Sequence, residues 1–446
     1  MFTRRWAVKS LPSTSNSRTV RRPSTPTPTT TVGSSACRSR TAANSTNCWG
    51  RRSTTPCALK NPELWLRKGA DRRLRGGHSW IYSNEIDSKR SPLSAYQAGD
   101  PVTVYSDSGQ ALASAYMEPR SLICARVYAA AADVALDATL IQSRLRAALQ
   151  LRERFLDEPC YRLLYGDSDG LSGVVADRFG EHLVLQLNTA GIERYQDLVV
   201  QALVDTVGPA GVLLRCDSRA RRDQGLEDRV EVVHGEMPEL VPLRENGVQF
   251  LAPVRGGQKT GWFYDHRVNR AQLQRLAPGR RVLDVYSYVG GWGIQAATAG
   301  AASVCCVDNS APALELVSRN AVLNQVEDRV ATEQGRADQV MEQLHASGQQ
   351  FDIVVLDPPA FIPRRRDLGK GRKAYQRINE MALRLLAPGG VLISASCSMH
   401  LAEADLVDVL RAAGQRTQKR LQIVGVGSQG PDHPVHPAIP ETRYLK

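Results

Sequence analysis

The segment 281–297 constrains the fold of this chain more than any other part of it. A buried strand pattern over 281–285 runs into a loop that holds Gly290, Gly291 and Gly293, and an apolar helix pattern follows. Glycines let the backbone approach a ligand closely, and the N-terminus of the next helix favours an anionic group. Because strands and helices continue to alternate from about residue 248, the pattern predicts a parallel sheet covered on both faces.

Two carboxylates narrow the choice of ligand for this loop. Asp308 ends the next predicted strand about 20 residues further on, where a carboxylate can bind ribose hydroxyls. A dinucleotide, a nucleotide and S-adenosylmethionine all fit these features. The spacing is not G-x-G-x-x-G, however, and Asp284 stands inside the strand before the loop. A carboxylate there would face the methionine ammonium group but repel a pyrophosphate, which favours S-adenosylmethionine over a dinucleotide. The structural alternative is a turn with a helix-capping Asp.

A second strand end carries the sequence Asp357-Pro358-Pro359-Ala-Phe361. The apolar run before it delivers Asp357 to the carboxyl edge of the sheet, where open α/β sheets bind ligands. The prolines fix the turn and remove backbone donors. This turn resembles the Asp-Pro-Pro-x-aromatic turn of class I methyltransferases, which lies against a base taken out of its stack. The structural alternative is a rigid strand-to-loop turn.

The run 389–398 predicts one more buried strand, and it ends in Cys397. If this strand is parallel to the one before Asp357, the thiol emerges at the same sheet edge. A thiolate that adds to C6 of a pyrimidine makes C5 nucleophilic, so Cys397 is a candidate covalent catalyst. The alternative is that Cys397 is a small buried hydrophobe, which is the usual role of a free cysteine.

Residues 1–59 differ in composition from the rest of the chain. The first 60 residues hold 22 Ser or Thr, nine Arg, two Lys and no acidic residue, so they carry +11 of the net +12. Such a segment cannot bury enough surface to fold, and we predict a disordered basic tail. A mis-assigned start or solvated extension, an RNA-tethering arm and an organellar transit peptide are the three interpretations. The pI of 9.4 is therefore weak evidence that the folded part binds nucleic acid.

Residues 60–132 predict a small β-barrel of short alternating strands. Five cations fall within nine residues, 67–75, just before Trp80 and Tyr82. Cations neutralise phosphates and aromatic rings stack on bases, so RNA binding competes with a solvated loop beside core aromatics. A linker helix and a small central α/β domain are predicted over 133–245, and the methyltransferase domain over 246–446.

The nine cysteines contain no C-x-x-C pair and no zinc-finger spacing. This pattern argues against a structural metal site and for reduced thiols inside the cell. No run of 18 apolar residues occurs, so no membrane span is expected. Together these features predict a cytoplasmic protein without metal or membrane partner.

Several segments together resemble the bacterial large-subunit (23S) ribosomal RNA cytosine-5 methyltransferases, over about 61–446. That family joins an N-terminal PUA domain to a central α/β unit and a class I Rossmann-type catalytic domain. The segments are Arg75-Gly-Gly-His-Ser-Trp-Ile-Tyr, Gly166-Asp-Ser-Asp-Gly-Leu-Ser-Gly, Gln258-Lys-Thr-Gly-Trp-Phe-Tyr-Asp-His-Arg, Ser396-Cys-Ser and the final Asp432-His-Pro-Val-His-Pro.

The resemblance implies an α/β protein with a class I methyltransferase Rossmann-like domain, a PUA-like β-barrel and a small central α/β domain. It implies ribosomal RNA as the partner, S-adenosylmethionine as the cofactor, and Cys397 and Asp357 as catalytic residues. The expected cofactor contacts are Lys259, Thr260, Asp265, Arg267, Asp284, Tyr286, Gly290, Gly291, Gly293, Asp308, Asp338 and Asp357. The expected RNA contacts are Arg75, His78, Trp80, Pro358, Pro359 and Phe361.

Two departures from related enzymes affect these expectations. Many RNA cytosine-5 enzymes carry a second Cys after the prolines, but here Ala360-Phe361 follows, so product release requires another base. Where an Asp usually meets the adenine amino group this chain has Arg336, and Asp338 is the nearby carboxylate. The alternative functions are methylation of guanine nitrogen or an amino group in RNA on the same scaffold, and a non-catalytic RNA-binding assembly factor. The sequence leaves the oligomeric state open.

Overall fold

The computed structural model describes residues 60–446, so the predicted disordered tail lies outside the described residues. The first sheet has the order β1-β3-β4-β5-β2. Its two edges meet through a bridge between Leu66 and Ile86, and the Asp87 amide donates to the Trp65 carbonyl at 2.9 Å. The sheet therefore curls into the expected barrel around a buried apolar interior. Its elements are β1 (Glu63–Trp65), α1 (Asp71–Arg75), β2 (Trp80–Tyr82), β3 (Pro101–Tyr105), β4 (Ala111–Met117) and β5 (Ile123–Ala129).

The central unit packs helices against a second five-stranded sheet of order β10-β9-β8-β7-β6. The predicted linker helix forms as α2, which begins after Asp137; the Asp137 carboxylate caps it by accepting from the Leu140 amide at 2.9 Å. The elements are α2 (Ala138–Glu153), β6 (Cys160–Tyr165), β7 (Val174–Phe179), β8 (His182–Leu187), α3 (Ala190–Glu193), α4 (Gln196–Val207), β9 (Gly211–Cys216), α5 (Arg219–Arg222) and β10 (Arg229–Gly235).

A hairpin of β11 (Leu240–Glu245) and β12 (Val248–Pro253) leads into the catalytic domain. The boundary predicted between residues 245 and 246 falls inside this hairpin, so it would separate two strands that pair along their whole length. The amides of Gln249 and Leu251 donate to Asn324 and Asn320 at 3.0 and 2.9 Å. The hairpin is thus anchored on the helix layer of the domain that follows it.

The catalytic domain holds a fully parallel sheet of order β15-β14-β13-β16-β17. The near-continuous apolar strands 282–285 and 353–356 are buried on both faces, as helices cover both sides. The elements are α6 (Arg267–Leu276), β13 (Arg281–Val285), α7 (Gly293–Thr298), β14 (Ser303–Asp308), α8 (Ala311–Leu323), β15 (Val330–Gln334), α9 (Ala337–Ala346), β16 (Phe351–Leu356), α10 (Leu368–Leu385), β17 (Leu386–Ser394) and α11 (Glu403–Arg416).

The final strand differs from its prediction in one respect. β17 ends at Ser394, three residues before Cys397, and its last residues are half-buried because it lies at the edge of the sheet. Cys397 therefore stands on the loop beyond the strand. Within residues 60–446, no helix is both long and apolar enough to cross a bilayer.

Candidate active site

The carboxyl ends of β13, β14, β16 and β17 lie at one edge of the sheet because these strands are parallel. This edge gathers four predicted residues: Asp284 in β13, Asp308 at the end of β14, and Asp357 and Cys397 just beyond β16 and β17. The sequence patterns therefore predicted correctly which strand ends meet here.

Asp284 is fully buried under the glycine loop. Its Oδ2 accepts a hydrogen bond from the Gly293 amide at 2.8 Å, while Oδ1 has no partner among the described residues. Burial, with a contribution from the nearby carboxylates of Asp357 and Asp308, raises the pKa of Asp284 to about 7. The neighbouring Ser287 hydroxyl is buried and unpartnered as well. These two buried oxygens at the end of β13 have no hydrogen-bond donor among the described residues, so both can accept hydrogen bonds from a ligand.

The glycine loop is fixed by Asp308. Its Oδ2 accepts from the Tyr288 amide and its Oδ1 from the Ser310 amide, both at 2.9 Å. Gly290 has a φ of +85°, and a Cβ there would lie 2.8 Å from Ile294. At Gly293 the space that a Cβ would need is filled by Cys306 of β14, at 2.5 Å. Gly293 therefore serves close helix–strand packing, whereas the sequence had suggested approach to a ligand.

Asp357 is held by two side chains that the sequence did not single out. His266 Nε2 lies 3.2 Å from Oδ1, and Trp292 Nε1 donates to Oδ2 at 3.2 Å. Burial alone would raise the pKa of Asp357, but the His266 charge and hydrogen bond outweigh it and lower the pKa. The same pairing raises the pKa of His266 against the effect of its own burial. Asp357 is therefore an oriented, ionised carboxylate.

The Cys397 thiol lies over the turn that follows Asp357. Its Sγ is 3.9 Å from the Pro358 carbonyl oxygen. The loop is supported from below by Tyr375 of α10, whose hydroxyl lies 2.9 Å from Ser396 Oγ and 2.8 Å from Ser398 Oγ. Phe361 packs on the Tyr375 ring with centroids 4.8 Å apart, so this predicted RNA contact is turned towards the protein.

The final residues of the described chain complete the cysteine side of the site. Ser396 and Lys446 exchange two backbone hydrogen bonds, at 2.9 and 3.1 Å, and Lys446 Nζ donates to the Ser398 carbonyl at 3.2 Å. The Tyr444 hydroxyl donates to Asp265 Oδ2 at 2.5 Å. Two contacts to Lys446 therefore bracket Cys397 along the loop.

Charges act on the Cys397 thiol in both directions. Burial raises its pKa, the Lys259 ammonium lowers it, and the carboxylates of Asp357 and Asp265 raise it again. Lys259 is exposed, with its Nζ 4.5 Å above the Phe263 ring. Burial also favours the neutral form of Asp265, but His266, Lys259 and His433 hold its pKa well below the ordinary value. The resting thiol is protonated, and Lys259 is the cation that favours its ionisation.

Two predicted cofactor contacts point away from this edge. The Thr260 hydroxyl donates to Asp177 of the central unit at 2.5 Å, and Asp177 is also bound by Arg162 at 2.8 Å. Arg267 donates to the Cys160 carbonyl and stacks on Tyr264 at 5.3 Å. Both side chains thus connect the catalytic domain to the central unit, and their assignment as cofactor contacts stays a prediction.

Asp338 and Arg336 pair with each other at 3.0 Å at the start of α9. Burial raises the pKa of Tyr286, and the Asp338 carboxylate adds to this effect. Tyr286 itself has a φ of +68°. These residues border the loop without contacting Asp284 or Asp357 in the described structure.

The three predicted RNA contacts of the barrel lie along the stretch from α1 to β2: Arg75 ends α1, His78 is in the loop that follows, and Trp80 begins β2. Arg75 bonds Asp71 and Gln110, both at 2.6 Å, and is largely exposed. The His78 and Trp80 rings meet edge-on with centroids 5.5 Å apart. This cluster belongs to the barrel and is not part of the sheet-edge site.

A basic segment, 364–373, follows the Asp357 turn and opens α10. It carries Arg364, Arg365, Arg366, Lys370, Arg372 and Lys373 against one acid, Asp367. Five of these cations are exposed; Arg372 is half-buried and pairs with Asp405 at 2.8 Å. Because Tyr375 on the same helix supports the Cys397 loop, the segment borders the site. In the part of the chain described, no group of three or more His, Cys, Asp or Glu could hold a metal ion.

Comparison with known proteins agrees with this geometry. Residues 64–130 match the PUA-like domain, and residues 200–439 match the S-adenosylmethionine-dependent methyltransferases. The chain belongs to the S-adenosylmethionine-dependent methyltransferase family. The cofactor and the fold class predicted from the sequence are thereby confirmed.

Relatives in this methyltransferase family align with nearly their full length. Ribosomal RNA large subunit methyltransferase I of Aeromonas salmonicida is 35% identical over 390 residues, which cover 86% of this chain and 97% of that protein. The protein of the same name from Shewanella frigidimarina is 35% identical over 387 residues, 85% of this chain and 97% of its own. The resemblance drawn from the sequence motifs is confirmed.

Solved structures support the methyltransferase fold. A methyltransferase from Streptococcus mutans superposes with a TM-score of 0.74 at 19% identity, over 86% of this chain and 98% of that one. A second methyltransferase structure, complexed with SAH, gives the same TM-score at 20% identity and the same coverage. At these identities the likeness concerns the fold alone.

Proposed function

We propose that this methyltransferase forms 5-methylcytosine in large-subunit ribosomal RNA with Cys397 as the nucleophile. The observation that carries the proposal is the thiol of Cys397 at 3.9 Å from the Pro358 carbonyl, beside an ionised Asp357 at the same sheet edge. Relatives that align with 86% and 85% of this chain bear the name ribosomal RNA large subunit methyltransferase I.

The residues under the glycine loop fit the cofactor. Asp284 Oδ1 and Ser287 Oγ are buried oxygens without a partner among the described residues, and both can accept from an ammonium group. Asp308 accepts one amide per oxygen and keeps lone pairs for ribose hydroxyls. S-adenosylmethionine, when bound, supplies an electrophilic methyl group. Asp284, Ser287 and Asp308 would hold it, with Tyr286 and Asp338 at the border of the site.

Cys397 would act on the pyrimidine ring. Addition of its thiolate to C6 makes C5 nucleophilic, and after methylation a base removes the C5 proton so that the Sγ–C6 bond can break. Asp357 is oriented by His266 and Trp292 and can accept a hydrogen bond from the cytosine amino group. The Lys259 ammonium lowers the pKa of the Cys397 thiol and so favours the thiolate needed for the first step of the reaction.

The RNA would be held by regions on either side of the site. The basic segment 364–373 offers exposed cations for phosphates, and in the barrel Arg75 offers an exposed cation while His78 and Trp80 offer aromatic rings. We place the enzyme in the cytoplasm, where the free thiols of the described cysteines stay reduced. The barrel, the central unit and the catalytic domain, with the hairpin 240–253 in the last, are the proposed domains.

The direct test uses methyl transfer from labelled S-adenosylmethionine to unmodified ribosomal RNA. Digestion should release labelled 5-methylcytosine, and RNA that contains 5-fluorocytosine should form a covalent adduct with Cys397. An N-methylated nucleoside as the labelled product would refute the proposal. Mapping 5-methylcytosine in ribosomal RNA with and without the protein then identifies the nucleotide.

Methylation of an RNA nitrogen is the second candidate. It is favoured by one observation: burial raises the pKa of Cys397, so the resting thiol is protonated and Cys397 could be a bystander. The adduct with 5-fluorocytosine separates the two, because an N-methylating enzyme needs no thiolate. A non-catalytic assembly factor would instead fail to bind S-adenosylmethionine in calorimetry.

A further inference from the structure

A cavity of about 480 Å³ lies between the barrel, helix α2 and the loop 166–170, away from the catalytic sheet edge. We call it the barrel–helix cavity. The barrel contributes His78 and residues 127–130, α2 contributes Arg144 and Ala147, and the loop contributes Asp167 and Ser168. A volume of this size matches a nucleoside-sized ligand.

The barrel–helix cavity concentrates polar atoms that lack partners. Within residues 60–446, ten buried side-chain nitrogen and oxygen atoms have no hydrogen-bond partner, and two of them belong to consecutive residues that line this cavity. They are Asp167 Oδ1 and Ser168 Oγ. Native proteins leave few such atoms unpaired, so two on one loop beside a cavity indicate a missing ligand.

Among the described residues, the Asp167 carboxylate keeps one oxygen without a hydrogen-bond donor. Asp169, two residues on, is taken by Arg152 through two bonds of 2.6 and 2.7 Å. Asp167 has only Arg126, at 4.0 Å from its Oδ2, so Oδ1 remains a free acceptor. His78 accepts the Trp80 amide on Nδ1 at 3.0 Å, which leaves Nε2 as a donor.

We propose that the barrel–helix cavity binds one unpaired RNA base, whose exocyclic amino group donates to Asp167 Oδ1 and whose ring nitrogen accepts from Ser168. The inference rests on the proposed function for its RNA partner. Proteins read single-stranded RNA through bases that are splayed out, stacked on aromatic or guanidinium planes and bonded at their edges. His78 and Arg144 supply such planes here.

The test deletes the amino group from the ligand. The full-length protein is titrated with a single-stranded decamer of adenosine and with a decamer of purine riboside, which lacks only the 6-amino group. The wild type should bind the adenosine decamer about tenfold more tightly, which corresponds to about 1.4 kcal/mol. Asp167→Ala should abolish this preference. Equal affinity of the wild type for the two decamers would overturn the proposal.

A second variant keeps the test independent of the buried carboxylate. Ala147 is exposed and lines the cavity, so Ala147→Trp should fill it and remove the preference without disturbing the core. Gln150→Trp adds the same bulk at an exposed position of α2 outside the cavity and should leave the preference intact. A preference that persists in Ala147→Trp would locate amino-group recognition elsewhere and refute the proposal.

Failure of this inference and failure of the proposed function give different results. A wild type that forms the 5-fluorocytosine adduct but shows no preference between decamers refutes only the cavity. A wild type that prefers the adenosine decamer but yields no 5-methylcytosine supports the cavity and refutes the proposed reaction.

Discussion

The two halves of the candidate active site are built differently. On the β13–β14 side, Asp284 meets Gly293 nine residues away, and Asp308 meets Ser310 two residues away. On the cysteine side, Ser396 pairs with Lys446, and the segment that leads to Lys446 is held by the central unit through contacts that span 270 to 280 residues.

The long-range contacts are hydrogen bonds that are buried or part-buried. The Arg162 amide donates to Asp432 Oδ2 at 3.1 Å, Arg152 donates to the Asp432 carbonyl at 3.0 Å, and the Tyr165 hydroxyl donates to the Thr442 carbonyl at 2.9 Å. The cofactor half therefore depends on its own loop, whereas the cysteine half depends on the central unit. Mutations should separate cofactor binding from turnover along this line.

The largest expected effect concerns Cys397. Cys397→Ser should lower kcat by at least about 10³-fold, because the alkoxide needed for addition is not accessible near neutral pH, as losses of covalent nucleophiles generally show. Affinity for S-adenosylmethionine should stay near wild type, measured by calorimetry. A serine variant that methylates at close to the wild-type rate would remove the covalent mechanism and leave N-methylation as the better proposal.

Asp308→Ala should weaken cofactor binding and leave the reactivity of Cys397 intact. Loss of a charge-assisted hydrogen bond is worth about 1.5–3 kcal/mol, so the Kd for S-adenosylmethionine should rise roughly ten- to a hundredfold. The loop amide of Tyr288 also loses its acceptor. Adduct formation with 5-fluorocytosine RNA at saturating cofactor should remain, since Asp308 does not contact the Cys397 loop. An unchanged Kd would show that Asp308 only orders the loop.

A smaller effect is expected when one contact between the central unit and the cysteine half is removed. Tyr165→Phe removes one hydroxyl bond to Thr442 and keeps the ring that packs on His433, with centroids 5.1 Å apart. A single hydrogen bond is worth about 0.5–1.5 kcal/mol, so kcat should fall about two- to tenfold at an unchanged cofactor Kd.

Tyr195→Phe is the matched control for this change. It removes a bond of 2.8 Å to the Gly99 carbonyl that joins the central unit to the barrel, far from Cys397. We expect its kcat to equal that of the wild type. If both tyrosine variants lose turnover equally, the central unit acts through overall stability and not through the C-terminal segment.

The smallest expected effect is a change in how kcat depends on pH. Burial raises the pKa of Cys397 and Lys259 lowers it, so the thiolate fraction and kcat should increase as the pH rises. Lys259→Gln removes the lowering charge and should move the rising limb to higher pH, with the two rates converging at alkaline pH. Lys259→Arg should restore the profile. An equal loss at every pH would assign Lys259 to cofactor binding instead.

The sequence predicted correctly those features of the fold that depend on local apolar periodicity. Buried apolar runs located the strands, and parallel strands bring Asp284, Asp308 and Asp357 to one edge whatever the side chains do. Cys397 reached that edge although β17 stops at Ser394. These placements follow from backbone geometry, which local periodicity determines.

What the sequence did not predict depends on side chains that meet across long separations. Thr260 and Arg267 stand in a segment rich in cofactor-type residues, yet they bond Asp177 and Cys160, 83 and 107 positions away. His266 lies in the same segment and orients Asp357. Residue type alone does not distinguish these roles, because each depends on which surface the central unit packs against. The hairpin 240–253 was divided for the same reason: its partner helix α8 lies far along the chain.

The pairing of Arg152 with Asp432 has a consequence for synthesis on the ribosome. The two residues are 280 positions apart, and at 5–20 residues per second a ribosome needs about 15 to 60 s to add that length. During this interval the nascent central unit already holds Asp169 against Arg152 and Asp177 against Arg162, 17 and 15 positions away. Both guanidinium groups therefore have a carboxylate partner before residue 432 is synthesised, so the central unit can fold early. Only the contacts that complete the cysteine loop must await residues 432–446, and a nascent enzyme stays inactive until they are made.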